Sequence, residues 1–108
     1  MEIMLHGKIK KPEGASNKEF FEVWRQESVA AMEAVSAGVI KHIWKVAGKY
    51  EVIVVLDVED GEGMDEVVHS LPIWKLGYAH VVRDISWTPL RPYANWAEHL
   101  KTLSKGEW

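Results

Sequence analysis

The stretch VIKHIWKVAGKYEVIVVLDV, residues 39–58, decides how this chain folds. Its two halves, VIKHIWKVA and YEVIVVLDV, are rich in β-branched residues, which favour strands. Gly48 and Lys49 lie between the halves, and a glycine-containing pair at this spacing is typical of a tight hairpin. We therefore predict two consecutive strands that pair in antiparallel fashion.

The residues before the hairpin predict a strand followed by a long helix. EIMLHGKIK, residues 2–10, alternates loosely between apolar and polar side chains and stops at a segment that contains proline and glycine, as a strand ending in a turn does. Ser16 is followed three residues later by Glu19, which is the spacing of a capping box at the start of a helix. Gly38 is the residue type that often follows a helix end, so we predict that the helix stops there.

The residues after the hairpin predict a short helix, a strand and a final helix. The apolar residues of the short helix recur at helical spacing before Pro72, and they are Met64, Val67, Val68 and Leu71. AHVVRDISWTP, residues 79–89, predicts the last strand. After Pro92 a further helix is predicted, with an apolar stripe that consists of Tyr93, Trp96, Ala97, Leu100 and Leu103.

The predicted order is β-α-β-β-α-β plus a C-terminal helix, which is a ferredoxin-like α+β fold. A chain of 108 residues fits a single domain, with the ferredoxin-like core at residues 1–91 and a helical extension at residues 92–108. The hairpin strands carry apolar residues on both sides, whereas the two core helices can cover only one face of the sheet. We therefore predict that a second copy covers the other face, which would make a homodimeric α+β barrel.

Composition excludes several classes of function. The chain has 13 basic and 16 acidic residues and a net charge of -3, which is unfavourable for nucleic-acid binding. It has no cysteine and no histidine pair at metal-binding spacing, so we predict no metal site. It also has no apolar run of membrane-spanning length and no signal-peptide pattern, so we expect a cytoplasmic protein without membrane contact. The expected partner is a small-molecule substrate.

Glu27 is a candidate catalytic residue because it interrupts the apolar stripe of the long helix. At about 100° per residue, it falls near the centre of the stripe formed by residues such as Phe20, Trp24 and Ala31. A carboxylate turned toward the sheet loses hydration, which raises its pKa toward the range useful for a general base. The alternative is a structural carboxylate that bends to the edge of the stripe or pairs with a lysine or arginine of the sheet.

Tyr50 is the second candidate because it opens the strand after the hairpin turn. A phenol at this position could donate a hydrogen bond to a carbonyl oxygen that gains negative charge during proton abstraction. Tyrosine is also a favoured strand residue, so a purely structural role remains the alternative. In the hairpin register Tyr50 shares a face with Val52, but the pattern does not decide whether that face meets the helix of Glu27.

The chain resembles the muconolactone isomerase family. The resemblance rests on KHIWKVAGKYEVIVVLDV at residues 41–58 and DEVVHSLPIW at residues 65–74, which are similar to the family's His-x-Trp-Arg-x-x-Gly-x-Tyr hairpin and its Leu-Pro after the second helix. It covers residues 1–74 without gaps and continues more loosely to Pro89. It implies a ferredoxin-like dimer, often assembled into larger homo-oligomers such as decamers.

The resemblance also implies cofactor-independent isomerisation of an unsaturated lactone in the catabolism of aromatic compounds, or dehalogenation as in close relatives. The family's glutamate falls on Glu27 and its active-site tyrosine on Tyr50. Where the family has a lysine and an asparagine, this chain has Trp24 and Val52, so we expect a less charged and bulkier substrate. We predict that the substrate-binding residues are Phe20, Trp24, His42, Val52 and Trp74.

Three alternatives remain open at this point. One is a cyclase or lyase that eliminates a group from a related substrate. Another is a cofactor-free oxygenase acting on a bulky apolar compound. The third is a non-catalytic barrel that binds a ligand, of which heme bound by strand histidines is a minor variant.

Overall fold

The computed structural model of this protein describes residues 1–70 and 82–106. The strands and helices in that part of the chain are β1 Glu2–Ile9, α1 Asn17–Ser36, β2 Ile40–Lys45, β3 Glu51–Asp57, α2 Gly61–Ser70, β4 Val82–Leu90 and α3 Tyr93–Leu103. The strands form one antiparallel sheet in the order β2-β3-β1-β4. This arrangement confirms the predicted ferredoxin-like α+β fold with an additional C-terminal helix.

Both ends of α1 have the predicted caps. The hydroxyl of Ser16 accepts a hydrogen bond from the backbone N–H of Glu19 at 3.1 Å, and the Glu19 carboxylate accepts one from the backbone N–H of Ser16 at 3.4 Å. The helix closes at Ala37, and Gly38 follows with φ of 79°, a left-handed conformation that glycine adopts without strain. These local interactions fix where the helix begins and ends.

The hairpin turn lies one residue earlier than predicted. The backbone N–H of Lys49 donates to the carbonyl of Val46 at 3.2 Å, so the two central residues of the turn are Ala47 and Gly48. Gly48 has φ of 80°, which a turn with a left-handed third position requires. The predicted hairpin still forms, and Tyr50 comes directly before β3.

The hydrophobic core lies between one face of the sheet and the first two helices. Its buried residues are Ile3, Leu5, Ile40, Val54, Leu56 and Val58. Against them α1 packs Ala31, Ala34 and Val35, and α2 packs Met64 and Val67. The removal of these apolar groups from water is the main contribution to stability. The face of the sheet that meets α1 is therefore also the face that carries Leu5 and Val54.

The opposite face of the sheet and the last helix are not covered by the described helices. In the described residues no helix contributes to a core cluster on that opposite face. Trp44 of the edge strand β2 points to this face and is 55% exposed. Helix α3 has no buried residue. The radius of gyration is 17.3 Å, whereas a compact chain of this length has about 13 Å. The fold is thus elongated, and among the described residues α3 adds no side chain to the core clusters.

None of the described helices combines the length and the apolarity that a membrane crossing requires.

Candidate active site

A cavity of about 360 Å³ lies between α1 and the sheet. Its lining is mostly aliphatic, with Leu5 from β1, Val54 from β3 and Ile85 from β4 as examples. A mostly apolar pocket with a few polar groups is the usual form of a small-molecule site. The cavity is therefore the candidate active site.

Helix α1 places Glu27 on the wall of this cavity. Trp24, Glu27 and Ala31 follow one another at spacings of three and four residues, and all three line the cavity, as neighbours on one side of a helix should. Glu27 is half-buried. Glu27, which lies in the apolar stripe of the helix, is thus also a lining residue of the cavity.

A row of paired residues in the sheet forms the wall opposite α1. Gly7 of β1 pairs with Val52 of β3 on one side and with Ile85 of β4 on the other, and Lys45 of β2 pairs with Val52. All four residues line the cavity. Val52, which was predicted to bind substrate, therefore has an aliphatic side chain available to a ligand.

Tyr50 packs in an aromatic cluster next to the cavity. Its ring centroid lies 5.6 Å from that of Trp24 with the planes at 89°, and 5.7 Å from that of Phe20. Edge-to-face contacts of this kind stabilise aromatic packing. Phe20 is buried in a small core cluster with Val23. Among the described residues Trp24 lines the cavity, whereas Tyr50 and Phe20 do not. Tyr50 therefore contacts a lining residue but does not itself line the cavity.

The other predicted substrate-binding residues are not brought to the cavity by the described structure. His42 is exposed and stacks on Trp44, with centroids 5.2 Å apart and planes at 11°. Trp44 borders the cavity, but His42 is not among its lining residues. Trp74 lies outside the described residues. The described part of the chain contains no group of three His, Asp or Glu side chains that could hold a metal ion.

Most of the lining residues were not predicted as site residues from the sequence, and Lys45 and Gly7 are two that bear on the chemistry of the cavity. Lys45 lies at the exposed edge of the cavity, and its ammonium donates to the carbonyl of Val46 at 3.2 Å. Gly7 lies in the middle of β1. Lys45 could have been identified from its spacing of two from Ile43, which places both residues on one face of a strand. Gly7 could have been identified because a glycine inside a strand pattern often marks a site where a ligand approaches closely.

Comparisons with known proteins agree with this fold. The crystal structure of muconolactone isomerase at 3.3 Å resolution is similar, with a TM-score of 0.70 over 85% of this chain and 90% of that chain, at 22% sequence identity. At this identity the likeness shows the fold alone. A search of curated proteins found no match. The sequence model of the muconolactone delta-isomerase family matches residues 1–95, and the chain therefore belongs to this family.

Proposed function

We propose that this protein is a cofactor-independent isomerase that moves a proton next to the carbonyl group of an unsaturated lactone or a related hydrophobic carbonyl compound. The observation that carries this proposal is the half-buried Glu27 on the wall of a mostly apolar cavity. Membership of the muconolactone delta-isomerase family supports the same class of reaction.

In the proposed reaction Glu27 is the general base. Its carboxylate takes a proton from the saturated carbon attached to the far end of the conjugated double bond, and the electron pair left behind spreads over the conjugated system onto the carbonyl oxygen, giving a dienolate. The resulting carboxylic acid then returns the proton on the same face to the carbon next to the carbonyl, two atoms away, so that the double bond moves one position away from the carbonyl. One side chain thus performs both transfers, and no cofactor is required.

Tyr50 is the proposed hydrogen-bond donor to the oxygen of the dienolate. A fixed donor near developing negative charge lowers the barrier because it is already oriented when the charge forms. The contact of the Tyr50 ring with Trp24, which lines the cavity, supports this role.

The substrate is proposed to be less charged and bulkier than a muconolactone. Trp24 and Val52 present apolar surface to the cavity, and an ionised group buried against them without a partner would cost several kcal/mol. Lys45 is exposed at the edge, where a polar substituent would also meet water. The apolar body of the substrate would therefore lie inside and any polar end at the edge.

The proposal is tested with muconolactone and its methyl ester, which removes the charge of the side group and adds one methyl group. Conversion of one double-bond isomer into the other is followed by proton NMR for the wild-type protein, Glu27→Gln and Glu33→Gln. Glu33 is an exposed glutamate of the same helix and serves as the matched control. We expect the ester to react faster than the acid, and Glu27→Gln to lower kcat by about 10²- to 10⁴-fold.

Two results would contradict the proposal. Turnover by Glu27→Gln at the rate of Glu33→Gln would show that Glu27 is not the base. Binding of both lactones without conversion by the wild-type protein would instead favour a non-catalytic ligand-binding barrel.

A further inference from the structure

Gly7 occupies an unusual position for a glycine. It lies in β1, which has β3 on one side and β4 on the other, and it is paired with Val52 and Ile85. A glycine inside a strand loses more conformational freedom on folding than other residues and supplies no side chain to the core. Its presence in an interior strand of the sheet therefore needs a physical reason.

The usual reasons for a strand glycine do not apply in the described part of the chain. The left-handed φ values belong to other glycines, and Gly7 is not among them. The irregularity in pairing with β4 lies between Lys8 and Ile9, beyond Gly7. A Cβ atom built on Gly7 would find Leu5 Cδ2 as its nearest described neighbour at 3.7 Å, which is an ordinary van der Waals contact. Neither the backbone nor this neighbour excludes a side chain.

The space left by the absent side chain belongs to the cavity. Gly7 lines it together with Glu27 and Trp24 of α1. Its neighbours along the row, Val52 and Ile85, are aliphatic. Because β1 is hydrogen-bonded on both sides, this part of the wall offers van der Waals contact to a ligand and little hydrogen bonding.

We propose that the gap at Gly7 receives an apolar part of the ligand, a ring or a branched alkyl group, and that Gly7 determines the largest ligand the cavity accepts. The inference rests on the proposed function in one respect, namely that this cavity is the ligand site. Beyond the proposed function, the inference assigns Gly7 as a position that determines ligand specificity. It also requires a ligand that has an uncharged bulky group beside its carbonyl.

The test compares a large and a small uncharged probe in variants that fill the gap. N-phenyl-1-naphthylamine is titrated by its fluorescence and 2(5H)-furanone by chemical-shift changes, for the wild type, Gly7→Ala and Gly7→Val. We expect the Kd of the large probe to rise about threefold in Gly7→Ala and about tenfold or more in Gly7→Val, since added methyl groups take the volume that the probe needs. The Kd of the small probe should change much less.

Lys8→Val is the matched control, because it adds a valine to the same strand at an exposed residue outside the cavity lining. It should leave the Kd of both probes unchanged. The urea midpoint of Gly7→Val should equal or exceed that of the wild type, because the added side chain enters unfilled space.

Several outcomes would overturn the inference. The wild type could fail to bind N-phenyl-1-naphthylamine. Folded Gly7→Val could bind this probe with an unchanged Kd. The urea midpoint could be lowered in both Gly7 variants but not in Lys8→Val. The last result would mean that the chain itself fills the gap. Probe binding does not depend on turnover, so full activity of Glu27→Gln would refute the proposed function and leave the inference about Gly7 intact.

Discussion

Single residues carry the chemistry proposed for this protein. A carboxylate in the apolar stripe of a helix is unfavourable for packing, because burial removes its hydration. In the structure Glu27 is half-buried beside a cavity, where a bound ligand replaces the water. Glu27 thus lies where an occupied cavity would reduce the contact of its carboxylate with water.

Tyr50→Phe should separate the catalytic role of the hydroxyl from the packing role of the ring. The ring contacts with Phe20 and Trp24 are kept, so the free energy of unfolding measured in urea should change by less than about 0.5 kcal/mol. If the phenol stabilises the dienolate, kcat should fall by about 10²- to 10³-fold. Tyr93→Phe, at a tyrosine that is 76% exposed on α3, is the control. Equal kcat values for the two variants would remove Tyr50 from the mechanism.

At the scale of elements, α1 determines the position of Glu27. The capping box at Ser16 and the left-handed Gly38 fix both ends of the helix. Contacts of Ala31 and Ala34 with the sheet core fix its rotation about its own axis. The direction of Glu27 thus follows from the packing of small residues on the same stripe.

Ser16→Ala should destabilise the protein by about 1 kcal/mol, because it leaves a backbone N–H of the first turn without its hydroxyl partner. The measurement is the free energy of unfolding in urea. Ser36→Ala, at the exposed last residue of α1, is the control and should change stability much less. Equal effects of the two substitutions would show that the capping box contributes nothing measurable.

The whole molecule has a sheet face, opposite α1, on which no described helix packs. Ile53 on that face pairs with His6 and Trp44 across the sheet, and Trp44 is 55% exposed. Exposed apolar side chains on a sheet face without a covering helix are typical of a subunit interface. The predicted homodimer, in which two sheets face each other, therefore remains our expectation for the assembly.

Ile53→Lys should reduce the assembly to the monomer, because a charged side chain would be buried without a partner between the sheets. Light scattering after size-exclusion chromatography should give at least twice 12.3 kDa for the wild type and a single chain mass for the variant. Val29→Lys, at an exposed residue of α1, should keep the wild-type mass. A monomeric wild type would refute the predicted dimer.

Much of the fold could be predicted because its signals are local. Strand periodicity, the Ser16–Glu19 spacing and the glycine after α1 involve residues close together in the chain. The hairpin was predicted correctly, although its turn lies one residue earlier than expected, since Gly48 takes the left-handed position. The order of elements and the family resemblance follow from the same kinds of local pattern.

The sequence by itself determined the α+β order, the limits of α1 and the place of Glu27 in the apolar stripe of that helix, because each depends on spacing within one element. Only the tertiary structure decided that Gly7 and Lys45 line the cavity with Glu27, and that His42 does not. The physical reason is that a cavity is the space left where separate elements pack together. Its lining depends on how α1 lies across the sheet, which no single stretch of sequence specifies.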